Sequence, residues 1–297
     1  LAEKYPNMQV VSNAKVFSML PQFFTLDFAP RSVVVKEGDT LSLGNHTLQF
    51  FMAPMVHWPE VMVEYEQTEK ILFSADGFGK FGASDVEEDW DDEARRYFIN
   101  IVGKYGSQVQ ALLKKAATLD IQTICPLHGP VLKENLGYYI GKYLTWSSYE
   151  PEEEGVVVAY ASIHGNTGKA AARMAEILKE NGAENVKVFD LARDDMAEAI
   201  SSAFRYSRLI VMGVTYDGNL FPCMEDFLYH LKIKTYKKRK VGIVENGSWA
   251  PMAGKLMKAY FEGMKDIEIC EPVVTIKSVM KDADEENMKT LAKAVLA

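Results

Sequence analysis

From residue 155 onward, short runs of consecutive apolar residues alternate with stretches in which apolar residues recur every three or four positions. The uninterrupted runs predict buried strands, and they lie at 155–159, 186–191, 207–213, 240–245 and 267–276. The helical pattern is clearest at 168–178, after Pro222 and at 283–296. Five strands alternating with helices predict an α/β fold with a doubly wound, five-stranded parallel sheet and right-handed crossovers.

The first half of the chain has a different pattern, typical of an α+β unit. Strand-like runs at 31–36, 47–52, 61–66 and 70–75 precede two helical stretches at about 91–103 and 106–118, and a further strand-like run covers 121–125. A helical stretch at 134–148 is followed by Pro151, three glutamates and Gly155, which is a composition typical of a linker. We therefore predict two domains, residues 1–150 and 151–297.

The loop after the run at 155–159 carries candidate phosphate ligands. It consists of Ser162, Ile163, His164, Gly165, Asn166 and Thr167. A strand, a tight loop of small polar residues and a helix N-terminus together offer backbone N–H groups and a favourable dipole to an anion. The loop lacks the glycine and lysine pattern of triphosphate and dinucleotide sites, so a single phosphate monoester fits best. The alternative is an ordinary β–α turn with capping residues.

Two further loops follow later strands and complete a candidate cofactor site. Their residues are Thr215, Tyr216, Asp217 and Gly218, and then Asn246, Gly247, Ser248 and Trp249. Ligands of parallel sheets bind at the carboxyl ends of the strands, where these three loops would meet. A phosphate cradle beside two loops with aromatic residues suits a flat ring on a phosphate tail, which indicates FMN.

Three side chains in the first half lie at the ends of predicted strands and are candidate metal ligands. They are His57, Asp76 and His128. Imidazole and carboxylate ligands suit iron, manganese or zinc. Taken alone, a single histidine or an aspartate at a strand end is more often a hydrogen-bonding or capping residue than a metal ligand.

Composition narrows the possible functions. The 297 residues carry 41 acidic and 33 basic side chains, a net charge of −8 that argues against nucleic acid as the main partner. No apolar run approaches the roughly 20 residues that span a bilayer. The three cysteines are far apart in sequence and form no metal-binding pair, which fits a reducing cytoplasm.

The motifs of both halves resemble one family. Residues 155–297 resemble a flavodoxin domain, and the stretch 246–251 resembles the version found in flavodiiron proteins. The surroundings of the three candidate ligands resemble the second half of a metallo-β-lactamase fold, so we expect a partial αββα sandwich there. In flavodiiron proteins these two domains are fused in this order.

The resemblance implies a cytoplasmic reductase of O2 to water or of NO to N2O. Electrons would enter through FMN from a small carrier such as rubredoxin and pass to a non-heme di-iron centre. His57 and His128 would each hold one iron, Asp76 would bridge the two, and Trp249 would pack at the flavin edge, with Tyr216 a weaker candidate. The family also implies a head-to-tail homodimer or a tetramer built from such dimers.

One departure from the family pattern concerns the metal site. The His-x-Glu-x-Asp-His motif that supplies the first four ligands is absent from the sequence, so we expect it in an N-terminal segment of a longer protein. Two alternatives remain: a flavodoxin-like electron carrier with a metal-free lactamase-like remnant, and a zinc hydrolase with a regulatory flavin domain.

Overall fold

The computed structural model describes residues 1–83, 85–86 and 88–297. The chain divides into two compact units, which comprise residues Leu1–Tyr97 with Tyr105–Ser147, and Phe98–Lys104 with Ser148–Ala297. The assignment of 1–150 and 151–297 to two domain families stays a prediction.

The first unit is built on a five-stranded sheet. Its elements are β1 (Val10–Ser12), α1 (Ala14–Met19), β2 (Ser32–Val34), β3 (Thr40–Ser42), β4 (Thr47–Met52), β5 (Met62–Glu66), β6 (Ile71–Phe73), α2 (Trp90–Tyr97), α3 (Gly106–Ala116), β7 (Thr123–Cys125) and α4 (Leu136–Ser148). Strands β3 to β6 pair antiparallel in chain order, β7 joins β6 in parallel, and β1 and β2 form a separate parallel pair. Because β6 and β7 run in parallel, the loops that follow them leave the same edge of the sheet.

The second unit alternates strands with helices. Its elements are β8 (Glu153–Tyr160), α5 (Asn166–Glu180), β9 (Val186–Asp190), α6 (Met196–Arg205), β10 (Tyr206–Tyr216), β11 (Asn219–Leu220), α7 (Pro222–Ile233), β12 (Arg239–Asn246), α8 (Ala253–Glu262), β13 (Ile267–Ile269), β14 (Val274–Ile276) and α9 (Asp282–Leu296). The order across the sheet is β9, β8, β10, β12 and then β13 with β14, all parallel. This order is that of a flavodoxin-like doubly wound sheet, as predicted.

Both faces of this sheet are covered by helices. On one face, Val158 and Met212 of the strands pack with Met174 of α5 and Leu291 of α9 in one buried cluster. Successive strand residues point to opposite faces, so the buried neighbours of these residues face the layer of α6, α7 and α8. The middle segments of the three central strands, residues 156–159, 209–212 and 241–244, are therefore apolar on both faces, which explains why uninterrupted runs predicted them.

Three elements differ from their prediction. The run at 267–276 forms two short strands separated by Pro272, which has no N–H to donate to a ladder. The helical stretch at 91–103 is α-helical only to Tyr97 and continues as a π-helix over Phe98–Val102. The short β11 pairs antiparallel with the end of β10 and adds a hairpin to the parallel sheet.

Candidate functional site

The loop between β8 and α5 ends in a glycine that the local backbone requires. Gly165 lies at the N-cap of α5 with a φ of +84°, in the left-handed region that disfavours side chains with a Cβ. The Oγ of Ser162 is buried and has no hydrogen-bond partner within the described part of the chain. Because the first N–H groups of a helix also lack partners within the helix, hydroxyl and backbone donors are both available here. These donors fit the oxygens of a phosphate group.

Asn246, at the end of β12, holds three loops together. Its Nδ2 donates to Thr167 Oγ1 at 3.2 Å and to the carbonyl oxygen of Ser278 at 3.0 Å. Its Oδ1 accepts a hydrogen bond from the Ser278 N–H at 3.0 Å. The side chain is 6% exposed, so it acts as a buried brace that fixes the first turn of α5 against the loops after β12 and β14.

The second predicted loop forms the tight hairpin between β10 and β11. Asp217 and Gly218 have φ values of +50° and +70°, the combination that two-residue hairpin turns of type I′ need. The preceding Tyr216 is 44% exposed and meets the ring of Phe221 edge to face at 5.4 Å. The hairpin therefore presents one aromatic side chain, supported from one side.

The third loop presents a second aromatic side chain next to a helix N-terminus. Trp249 is 92% exposed, which is unusual for so large an apolar side chain. Thr215 Oγ1 accepts hydrogen bonds from the N–H groups of Met252 at 2.8 Å and Ala253 at 3.1 Å. The threonine thus fixes the start of α8, and with it the end of the loop that carries Trp249.

These loops surround a cavity of about 560 Å³, within the range of roughly 300–1,000 Å³ typical of small-molecule sites. Of the predicted cofactor residues, Gly165 is not among the lining residues, and the following are: Ser162, Ile163, His164, Asn166, Thr167, Thr215, Tyr216, Asp217, Gly218, Asn246, Gly247, Ser248 and Trp249. Their assignment as binding residues stays a prediction. Two features fit FMN: the Ser162 hydroxyl, which lacks a hydrogen-bond partner in the described part of the chain, fits the phosphate, and the exposed Trp249 ring fits the flavin ring.

Sequence analysis missed four lining residues, which are Val214, Ala250, Met252 and Ser278. Ser278 follows the last strand of the sheet, as the predicted loops follow earlier strands, and this position was the available signal. Its Oγ lies 2.6 Å from that of Ser248. The other three are apolar neighbours of predicted residues, and apolar side chains at strand ends carry no distinctive pattern.

The three candidate metal ligands meet in the first unit. His57 lies between β4 and β5, Asp76 follows β6, and His128 follows β7. Asp76 Oδ2 is 3.3 Å from His57 Nε2, and Asp76 Oδ1 is 3.6 Å from His128 Nε2. Each carboxylate oxygen therefore faces a different imidazole, as a carboxylate that bridges two metal ions would require.

Backbone and aromatic contacts fix this group of side chains. His128 Nδ1 lies 3.1 Å from the carbonyl oxygen of Lys80, which can only accept, so Nδ1 carries the proton and Nε2 is free to bind. The ring of Tyr97 meets that of His128 at 4.5 Å. Burial, and then the Asp76 carboxylate, raise the pKa of the Tyr97 phenol, which therefore stays protonated at neutral pH.

The donor set fits iron or zinc but is incomplete. Within residues 1–83, 85–86 and 88–297, no group of three or more histidine, cysteine and carboxylate side chains could hold a metal ion as the structure stands. The geometry therefore supplies one carboxylate between two imidazoles, and a pair of metal ions would need further ligands. Among the described helices, none is long and apolar enough to cross a membrane.

Comparisons with known proteins match both units. A sequence model described as ODP family beta lactamase matches residues 1–129. A protein of Methanocaldococcus jannaschii described as uncharacterized is 30% identical over 293 residues, which cover 95% of this chain and 72% of the relative. A protein of Moorella thermoacetica named nitric oxide reductase is 27% identical and is aligned over all of this chain and 76% of its own length.

Solved structures show the same two-unit fold. The structure titled rubredoxin oxygen:oxidoreductase from Desulfovibrio gigas matches with a TM-score of 0.89 and 26% identity, over 97% of this chain and 74% of that chain. The structure titled flavodiiron protein from Giardia intestinalis matches with a TM-score of 0.87 and 22% identity, over 99% of this chain and 75% of that chain. The chain thus spans about three quarters of the length of these proteins.

Proposed function

Because the chain belongs to the flavodiiron protein family, we propose that it is an oxidoreductase that reduces O2 to water, NO to N2O, or both. FMN in the second unit would take up electrons from a small carrier of the rubredoxin type, and iron held by the first unit would supply the chemistry of gas reduction. The names of the Moorella and Desulfovibrio relatives support both substrates and this kind of donor. The observation that carries the proposal is Asp76, whose two oxygens face two different imidazoles.

The cavity of the second unit would hold FMN. Ser162 Oγ and the first N–H groups of α5 would bind the phosphate, and Trp249 and Tyr216 would contact the ring. Asn246 and Thr215 would hold these loops in place through the hydrogen bonds that they already make. Bound FMN supplies one-electron transfer and the iron pair supplies the reduction of the gas, so the chain itself contributes position and electrostatics.

At the metal centre, His57 and His128 would each bind one iron through Nε2, and Asp76 would bridge the two. The Lys80 carbonyl would keep the His128 ring in the correct tautomer and orientation. Tyr97, whose phenol pKa is raised by burial and by the nearby Asp76 carboxylate, would present a neutral hydroxyl beside the bridging carboxylate.

The deciding experiment measures metal and flavin content together with gas consumption. We expect one FMN and two irons per chain after reconstitution, and consumption of O2 or NO when a reduced rubredoxin-type donor is present. Asp76→Ala should remove iron and turnover but keep FMN. Asp120→Ala, a change of an exposed aspartate whose carboxylate accepts hydrogen bonds from Lys70 and Gln122, should keep both. Zinc in place of iron, with no gas consumption, would refute the proposal.

One observation favours a second function, which is that of an FMN-dependent electron carrier. The described residues supply three candidate ligands but no complete set. A carrier would bind FMN, contain no iron after reconstitution and pass electrons between partner proteins without consuming gas. The same measurement of iron content separates the two functions.

We further propose a cytoplasmic homodimer, head to tail, or a tetramer built from such dimers. The three cysteines, Cys125, Cys223 and Cys270, are free thiols, which suits a reducing compartment. Size-exclusion chromatography with light scattering tests the assembly, and a fully active monomer would refute it.

A further inference from the structure

An apolar cavity lies behind the metal-ligand loops of the first unit. The volume open to the centres of water-sized spheres is about 30 Å³. One water molecule needs roughly 10–15 Å³ by the same measure. Three residues of α3, Val109, Leu113 and Ala116, form one wall at helical spacing. Val63, from β5, forms part of the opposite wall. By this measure the space holds about two or three water-sized spheres, enough for a diatomic molecule and far too little for a flavin.

The inner end of this cavity touches the loops that carry two of the candidate ligands. Val56, which precedes His57, and Gly77, which follows Asp76, both line it. Both are buried. Two other lining residues, Ala116 and Leu119, are partly exposed. The cavity wall thus includes residues near the surface of the unit and residues adjacent to two candidate ligands.

Water gains little by entering this space, because the polar groups in its wall are already bonded to protein. Ser74 Oγ donates to the Gly77 carbonyl at 2.6 Å, and the Tyr143 hydroxyl accepts from the Phe78 N–H at 2.6 Å. The Lys115 ammonium donates to Glu37 and to the Met52 carbonyl, both at 2.9 Å. Apolar cavities without free polar partners stay dry and take up apolar ligands such as xenon.

We propose that this cavity is a binding site for an uncharged diatomic gas and supplies O2 or NO to the metal-ligand loops. The role in substrate supply rests on the proposed function, whereas the gas site itself rests on the geometry. A small apolar molecule loses no hydrogen bonds on entry and gains dispersion contacts with the wall. Ions and water, which need polar partners, are excluded by the same wall.

Xenon tests the site without any requirement for iron or turnover. We expect saturable xenon binding by 129Xe NMR, and one bound xenon between α3 and β5 in crystals under xenon pressure. Ala116→Leu places three more carbon atoms in the outer part of the cavity and should weaken xenon binding tenfold or more. Ala117→Leu is the matched control, because it makes the same change one residue later at an exposed position that does not line the cavity.

The second measurement is the kinetics of gas consumption by protein loaded with FMN and iron. Filling the cavity should lower kcat/KM for the gas threefold or more and leave kcat at saturating gas unchanged, whereas Ala117→Leu should alter neither. Val63→Ile, which adds one methylene to the inner wall, gives the same test if Ala116→Leu fails to fold.

The outcomes separate this inference from the proposed function. No xenon in the cavity would overturn the gas site while gas consumption by the native protein stood. Xenon binding with unchanged kcat/KM in both filled variants would overturn the supply role. Xenon binding without any O2 or NO consumption would refute the proposed function and the supply role together, and the gas site would stand.

Discussion

Replacement of Ser162 by alanine should change the affinity for FMN and the stability of the FMN-free protein in opposite directions. Among the described residues, the buried Ser162 hydroxyl has no hydrogen-bond partner. It therefore lowers the stability of the FMN-free protein and makes a favourable hydrogen bond only when a ligand supplies an acceptor. A serine that merely capped the turn would behave differently, because its loss would destabilise the empty protein.

The magnitude follows from the charge of the proposed acceptor. A hydrogen bond to a charged group contributes about 1.5–3 kcal/mol, and about 1.4 kcal/mol corresponds to a factor of ten. We therefore expect Ser162→Ala to raise the Kd for FMN by about 10- to 150-fold. In the empty protein, removal of an unpaired buried hydroxyl should raise the free energy of unfolding by up to about 1 kcal/mol.

Flavin fluorescence titration of the FMN-free protein measures the first quantity, and urea unfolding measures the second. Ser147→Ala is the matched control, because its buried hydroxyl accepts from Gln110 and donates to the Tyr143 carbonyl, and it does not line the cavity. The control should change the Kd for FMN less than threefold and should lower stability. The reasoning is refuted if Ser162→Ala binds FMN within threefold of the native protein, or if it destabilises the empty protein.

Three further predictions concern other parts of the chain. Gly79→Ala would place a Cβ 2.6 Å from His128 Cε1, so iron content measured by elemental analysis should fall while FMN content is kept; unchanged iron would contradict the assigned ligand. Burial raises the pKa of the Glu66 carboxyl, but hydrogen bonds from backbone N–H groups lower it by more, to about 2. The stabilising effect of this carboxylate is therefore present above about pH 4.5 and is lost as the pH falls towards 2. In Glu66→Gln, stability measured by circular dichroism should therefore fall less steeply as the pH drops below about 4.5. An unchanged pH dependence would show that Glu66 does not cause this loss of stability. Arg239→Met would leave several backbone carbonyls without a donor and should destabilise by about 3 kcal/mol or more in urea, and a loss below 1 kcal/mol would contradict this account.

The sequence predicted the second unit well because its signal is local. The strands β8, β10 and β12 are buried on both faces, so each appears as an uninterrupted apolar run. The small strand β3 and helix α1 were not predicted, because three and six residues give too little periodicity.

The sequence indicated which residue types follow each strand at the candidate site. It did not indicate the hydrogen bonds that join residues far apart in the chain. Ser162 and Trp249 were predicted as binding residues from their place after a strand, and both line the cavity. The brace between Asn246 and Ser278 joins positions 32 residues apart, and no local pattern indicates it. Thr215 was interpreted as a ring contact, but its hydroxyl accepts the hydrogen bonds that fix the start of α8.

The site residues fall into two groups, those whose polar atoms are already bonded within the protein and those whose side chains are free. Mutations in the two groups should have different effects on folding and on FMN binding. The Asn246 amide and the Thr215 hydroxyl are bonded within the protein, so their loss should weaken folding and FMN binding together. Trp249 is exposed, and the Ser162 hydroxyl has no partner in the described ranges, so their loss should weaken FMN binding without weakening folding. Polar groups that a ligand must satisfy are costly in its absence, and their presence at one rim of the cavity is the strongest physical reason to expect a bound phosphate there.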